Sequence, residues 1–186
     1  MSKYYAGIGS RETPKEVLEY MEELAIRLEK QGYILRSGGA GGADTAFEKG
    51  VSEPDMKEIY LPWSGFGYIE KKYHNPDKGY YALQNLGLEE EAKTIAGRLH
   101  PAWGACSRGA KSLHSRNIHQ ILGQDLKSPS KFVIAYAVVD NNGRAKGGTA
   151  MAISLADMRG IPVYNLYIDG VKEKLEELLN EQNTQS

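Results

Sequence analysis

Three short stretches of this sequence carry residue types suited to holding an anion. They are Gly7-Ile8-Gly9-Ser10-Arg11, Ser37-Gly38-Gly39-Ala40-Gly41-Gly42-Ala43-Asp44 and Lys146-Gly147-Gly148-Thr149. Glycine lets a backbone approach a ligand closely. Where such a turn leads into a helix, the first amides lack intrahelical partners and the helix dipole favours negative charge. A phosphate is the natural occupant, although glycines also serve simply to make tight turns. Arg11 and Arg36 flank the first two turns. Each guanidinium either clamps a phosphate bidentately or sits at the surface. Asp44 opens a helix, so its carboxylate either caps that helix or bonds a ribose hydroxyl or base.

A second concentration of polar chemistry lies at Arg108, Lys111, His114, Arg116, Asn117 and His119. The segment reads as a helix that is either solvated or turned toward the ligand, with Leu113, Ile118, Ile121 and Leu122 buried. The expected ligand set is Gly9, Ser10, Arg11, Arg36, Ser37, Gly38, Gly39, Ala40, Gly41, Gly42, Asp44, Arg116, Asn117, Gly147, Gly148 and Thr149. Backbone amides hold phosphate, the arginines neutralise charge, and Asp44 and Asn117 read ribose or base. Trp63, Phe66 and Trp103 are candidates to stack on a base or to pack in the core. The glycine run has neither a dinucleotide-binding GxGxxG in register nor a GK[ST] ending, which argues against NAD and against ATP hydrolysis. The spacings of His100, His114 and His119 match no standard metal site, so no metal and no cofactor are expected. Cys106 stands alone beside Arg108, and no nucleophile–base pair stands out.

These turns need elements to present them. Lys3 to Gly9, Tyr33 to Arg36, Lys57 to Leu61, Lys131 to Val138 and Pro162 to Leu166 read as short strands. Between them, Val17, Leu18, Met21, Leu24, Ala25 and Leu28 repeat at helical spacing, with Thr13 as cap, Pro14 at the first helical position and Glu16 closing a capping box. Further helices are expected over Ala43–Gly50, part of Tyr80–Leu99, Ser107–Leu122, Gly147–Arg159 and Val171–Leu179. Strands alternating with helices imply an α/β fold, a doubly wound parallel sheet with helices on both faces. Residues 1–180 form one such domain in this reading and 181–186 a frayed tail. Pro62 to Lys78 is long and irregular, as functional loops often are.

Composition narrows the function classes. Net charge is −1, which argues mildly against sequence-blind nucleic-acid binding. One cysteine excludes an internal disulfide. No apolar run approaches the length of a membrane span, and a cytoplasmic setting is expected. Glycine makes up 21 of 186 residues, about 11% against a usual level near about 7%.

The same residues resemble the Rossmann-like core of the DprA/Smf family, within the superfamily that includes the Lonely Guy proteins. Gly9-Ser10-Arg11 is similar to the family's GSR turn, and Ser37-Gly38-x-Ala40-x-Gly42-x-Asp44 to its SGxAxGxD loop. Arg116-Asn117-Ile118 to Gly123 resembles its RNRxIxGLS helix. Gly147-Gly148-Thr149 to Ala156, then Gly160-Ile161-Pro162-Val163, resembles its last turn, helix and strand. The chain departs from that pattern at Phe47-Glu48, where the family often has Ala-His, and at His119, which replaces the second Arg of RNR. Lonely Guy proteins cleave nucleoside monophosphates with a glutamate whose place here holds Ala152. The resemblance implies a standalone core, of a kind carried by phages, that binds rather than cleaves. Its expected partner is a phosphate-bearing nucleotide-type molecule such as an ADP-ribose or cyclic nucleotide signal. Alternatives are single-stranded DNA, as for DprA, or N-glycosidase activity. Homo-oligomerisation is expected from relatives.

Overall fold

A computed structural model describes residues 3–185. Six strands, β1 (Lys3–Gly9), β2 (Tyr33–Ser37), β3 (Lys57–Leu61), β4 (Tyr80–Ala82), β5 (Val133–Tyr136) and β6 (Val163–Asn165), form one sheet in the order β4-β3-β2-β1-β5-β6. Every neighbouring pair is parallel. Helices α1 (Lys15–Lys30), α2 (Ala43–Lys49), α3 (Glu89–Leu99), α4 (Arg108–Leu122), α5 (Ala150–Met158) and α6 (Val171–Thr184) cover it.

Alternation along each strand sorts the core into two layers. Tyr5 of β1 and Ile134 of β5 face Met21, Leu24 and Leu28 of α1, Phe47 of α2 and Leu175 and Leu179 of α6. Their neighbours Ala6, Ile8, Val133 and Ala135 face Ala92 and Ala96 of α3, Ile118, Ile121 and Leu122 of α4, and Ala152 and Leu155 of α5. This is the doubly wound α/β arrangement expected from the strand–helix alternation. The chain steps outward from β1 to β4 on one side, then returns to place β5 on the other side of β1. That reversal leaves a crevice at the carboxyl ends of β1 and β5, where ligands of open α/β sheets bind.

Several local expectations are corrected. Thr13 does not cap α1: its hydroxyl donates to the Ser10 carbonyl at 2.7 Å, and Pro14 occupies the cap position. Tyr80–Ala82 is an edge strand rather than the start of a helix, because Tyr80 pairs back onto Asn75 and the strand aligns with Ile59–Leu61. The helix over Arg108–Leu122 is not a solvated face. Arg116, Asn117, His119 and Gln120 are buried along with the apolar residues, while Leu113 is only half-buried. The last helix extends beyond Leu179 to Thr184, and the Tyr33 hydroxyl donates to Gln182 Oε1 at 2.6 Å. Among the described residues no helix is long and apolar enough to cross a membrane.

The segment 62–78 is less irregular than expected. Gly65 and Lys72 each donate an amide across a short antiparallel turn, to Lys72 O and Phe66 O, both at 2.8 Å. Lys72 then reaches Glu48 of α2 at 3.3 Å and the Gly39 carbonyl at 3.4 Å, pinning this turn to the glycine loop.

Candidate ligand cavity at the sheet's switch point

A cavity of about 540 Å³ opens at the crevice between β1 and β5. Gly9, Ser10, Arg11 and Glu12 form one wall, and Lys146, Gly147, Gly148 and Thr149 the opposite one. Ala40 and Asp44 come from the second glycine turn. Helix α4 supplies the floor through Ala110, Leu113, His114, Arg116, Asn117 and Gln120.

Each wall is fixed by the backbone that precedes it. The Ser10 amide continues the β1–β5 pairing by donating to Tyr136 O at 3.0 Å. Its carbonyl accepts from the amides of Thr13 and Ala43, both at 3.3 Å, so the first turn and the start of α2 are tied together. The Ser10 hydroxyl accepts from the Glu12 amide at 3.0 Å. Arg11 projects exposed at the rim and forms no ion pair among the described residues.

Arg116 is buried in the floor. Its Nη1 donates to Gly38 O and, at 3.1 Å, to Tyr60 O. Its Nε donates to Asn117 Oδ1 at 2.8 Å, and the guanidinium lies 5.5 Å from the Phe66 ring centre. Those bonds use Nε and Nη1, leaving Nη2 as the nitrogen available to a ligand. Asp44 is buried beside it. Burial pushes its carboxyl up from 3.8 to about 6, against the opposing pull of Arg116, the Ala40 amide, Lys72 and the Gly9 amide. Burial, helped by His100 and Arg116, lowers the pKa of the His114 imidazole below its usual 6.5.

Sequence reasoning and geometry part at several residues. Arg36 does not line the cavity. Its guanidinium is buried on Glu58 at 3.1 Å, Ser128 O at 2.6 Å and Ser130 Oγ at 3.1 Å, and stacks over Tyr4. Ser37 is turned inward, donating to Gly7 O at 2.6 Å. Gly38, Gly39, Gly41 and Gly42 also lie outside the cavity wall, whereas Gly9, Ser10, Arg11, Ala40, Asp44, Arg116, Asn117, Gly147, Gly148 and Thr149 form part of it. Gly38 and Gly42 are required by close packing. A side chain at Gly38 would collide with Arg116 and Gln120, and one at Gly42 with the backbone of Ser10 and Arg11. Asn117 lines the cavity with both ends of its amide already engaged. Its Oδ1 accepts from Arg116 and its Nδ2 donates to Gly148 O at 3.0 Å. Among the described residues no Trp, Phe or Tyr lines the cavity, so the expected base stacking is not found there. Trp63 and Phe66 pack on each other, and Trp103 sits beside Lys111.

The cavity also contains Glu12 and Gln120, which the sequence did not single out, and Leu113, His114 and Lys146, which were named but not placed in the expected ligand set. Ala110, Leu113, Asn117 and Gln120 recur every three or four residues, a stripe that helical periodicity could have exposed. Lys146 precedes the third glycine turn directly. His119 takes no part, as it stacks on Tyr60 with its Nδ1 2.9 Å from Gly123 O.

No protein-family model matches this sequence, and no curated protein does. Two solved structures are similar. DNA processing protein A from Helicobacter pylori, described for its single-stranded DNA binding mode, shares 20% identity at a TM-score of 0.55 over 95% of this chain and 73% of its own. DNA processing protein A from Streptococcus pneumoniae shares 16% identity at 0.47, over 97% of this chain and 56% of its own. At such identity, the first likeness establishes a shared Rossmann-like, DprA-like fold.

Proposed function

We propose that the switch-point cavity binds a phosphate-bearing, nucleotide-type small molecule without cleaving it. The observation that carries this is the composition of the walls. Arg11, Arg116 and Lys146 face one cavity with Glu12 and Asp44, and the Asp44 carboxyl sheds its charge near pH 6. The uncapped start of α5 lies at the same mouth, where its first amides favour an anion. A volume of about 540 Å³ suits a ligand of nucleotide size. Ala152, at the place of the Lonely Guy glutamate, is a methyl of α5 buried in the core. Thermal-shift and calorimetric titration with ADP-ribose, cyclic nucleotides and nucleoside monophosphates tests this reading. One ligand of the panel should bind at one site per chain, be recovered intact, and bind at least about tenfold more weakly to Arg11→Ala, since a charge-assisted bond contributes about 1.5–3 kcal/mol. No saturable binding, or full affinity in Arg11→Ala, would count against it.

A second reading, single-stranded DNA binding, is favoured by a different surface. Lys93, Arg98, Arg108 and Lys111 line, together with Glu90, a concavity of about 630 Å³ between α3 and α4 with Trp103 at its side. Cations beside an aromatic ring suit an unpaired strand, and the Helicobacter pylori protein of shared fold binds one. Anisotropy with an unstructured oligonucleotide should then show affinity that falls steeply with salt and weakens in Lys111→Ala. Binding insensitive to both would exclude this surface.

A further inference from the structure

Three side chains that are distant in kind from the glycine turns converge behind the cavity floor. His100 ends α3, Cys106 follows the short turn Trp103–Ala105, and His114 lies two turns into α4. The α3–α4 connection folds back so that one ligand atom from each of the three lies within 4.8 Å of the others. Cys106 Sγ is 3.7 Å from both ring nitrogens of His100, and the two imidazole rings are 4.7 Å apart at their centres. His114 Nδ1 is buried with no hydrogen-bond partner, an uncommon state for a ring nitrogen.

We propose that His100, Cys106 and His114 form a binding site for a transition-metal ion of the zinc class, with water in the fourth position. One thiolate and two imidazoles are the donor set such an ion selects, whereas magnesium and calcium require oxygen ligands that are not among these three. Three protein ligands leave one coordination position open, as in metal sites that exchange water. All three residues are half-buried, so an ion can enter from solvent and still be partly shielded. His114 lines both the switch-point cavity and a neighbouring cavity of about 750 Å³ that also reaches His100. The ion would therefore stand in the wall between the two. Occupancy requires two exchanges: the Ala102 amide, which donates to His100 Nδ1 at 3.1 Å, is released if that nitrogen ligates, and the Cys106 thiol gives up its contact with Ala102 O at 3.5 Å when it loses its proton. The helical spacing of the histidines did not suggest this site, because the third ligand is Cys106 and not His119.

The site stands or falls independently of any nucleotide. Purified, reduced protein is stripped with EDTA and titrated with cobalt(II). The expected result is one equivalent per chain, with a thiolate-to-cobalt charge-transfer band and the strong visible absorption of tetrahedral cobalt. Zinc should then displace the cobalt. Cys106 is the chain's only cysteine, so the charge-transfer band and alkylation by iodoacetamide both report on this site alone. Cys106→Ser should lose the band. His100→Ala should weaken binding by more than about tenfold, the least expected when even an outer partner of a ligand is removed. Zinc should slow alkylation of the wild-type thiol. Circular dichroism checks that both variants are folded, and the alkylation assay on wild type needs no variant. The absence of a charge-transfer band, a band that survives in Cys106→Ser, unchanged affinity in His100→Ala, or alkylation indifferent to zinc would each overturn the assignment.

Discussion

Arg116 and Asn117, adjacent on α4, tie the second and third glycine turns to the cavity floor. Arg116 donates to the Gly38 carbonyl of the second glycine turn, while Asn117 Nδ2 donates to the Gly148 carbonyl of the third, at 3.0 Å. The two side chains are themselves joined at 2.8 Å. One helix therefore braces both turns from the cavity floor.

From this brace we predict that Asn117→Ala loses about 1–2 kcal/mol of stability, the cost of leaving Arg116 Nε and the Gly148 carbonyl without a partner. At this chain length that corresponds to a melting temperature lower by about 2–4 °C per kcal/mol. Ligand affinity should fall as well, because the Gly147–Thr149 turn is released. Thermal melts and titrations read both. A variant as stable and as tightly binding as wild type would show that the brace is incidental.

Arg36 behaves in the opposite way from its expected role. Its partner Glu58 also accepts from Tyr60 and from Gln124, both at 2.7 Å, so the guanidinium is the cationic centre of a buried network. We predict that Arg36→Met destabilises the fold by about 3–5 kcal/mol, as expected when one member of a buried ion pair is removed. Where the variant still folds, ligand affinity should be unchanged. Denaturant titration gives the first quantity and calorimetry the second. A loss of affinity with intact stability would return Arg36 to the ligand site.

The glycine loop separates packing from binding. At Gly41 an added methyl meets open space and the backbone angle is not left-handed. We predict that Gly41→Ala is neutral or stabilising by up to about 1 kcal/mol, through the unfolded chain, with ligand affinity retained. Gly38→Ala should be destabilising, since the methyl would lie 2.7 Å from Arg116 Nη1 and 2.3 Å from Gln120 Nε2. Comparing the melts of the two variants tests the distinction. If Gly41→Ala alone abolished binding, the loop amides would be the ligand cradle after all.

Much of the architecture was legible in the alternation of short apolar strands with amphipathic helices, and β1 and β3 fall within the residues that alternation marks out. Three-residue β4 was not, because a pair of alternations cannot be told from a turn. The harder failure was burial of polar side chains. Nothing local says that Arg116, Asn117 and His119 are interior. Their partners are carbonyls of Gly38, Tyr60, Gly148 and Gly123, and all but the last come from distant segments of the chain. Arg36 misled for the same reason: beside a glycine turn in sequence, it points along its strand's side chain direction into the Glu58 network.

Asp44 provides a test by pH. Its folded pKa is raised from 3.8 to about 6, chiefly by burial, with Arg116 and Lys72 opposing. A raised carboxyl pKa means the folded state binds the proton more tightly than the unfolded chain. Asp44 therefore contributes stability below pH 3.8, loses it as pH rises through about 6, and leaves a constant deficit above that. We predict that Asp44→Asn is more stable than wild type at pH 7.5 by about 3 kcal/mol, and that the gap closes below about pH 4. The charge matters to binding in the same sense. Protonated Asp44 no longer repels a phosphate, so a phosphodiester ligand should bind wild type more tightly at pH 5.5 than at 7.5. Asp44→Asn should show the tighter affinity at both values. Parallel melts and titrations across this range decide the matter: a stability gap that is flat with pH would mean that folding leaves the Asp44 pKa unchanged, so that the cavity carries its negative charge beside Arg116 at pH 5.5 as well as at 7.5.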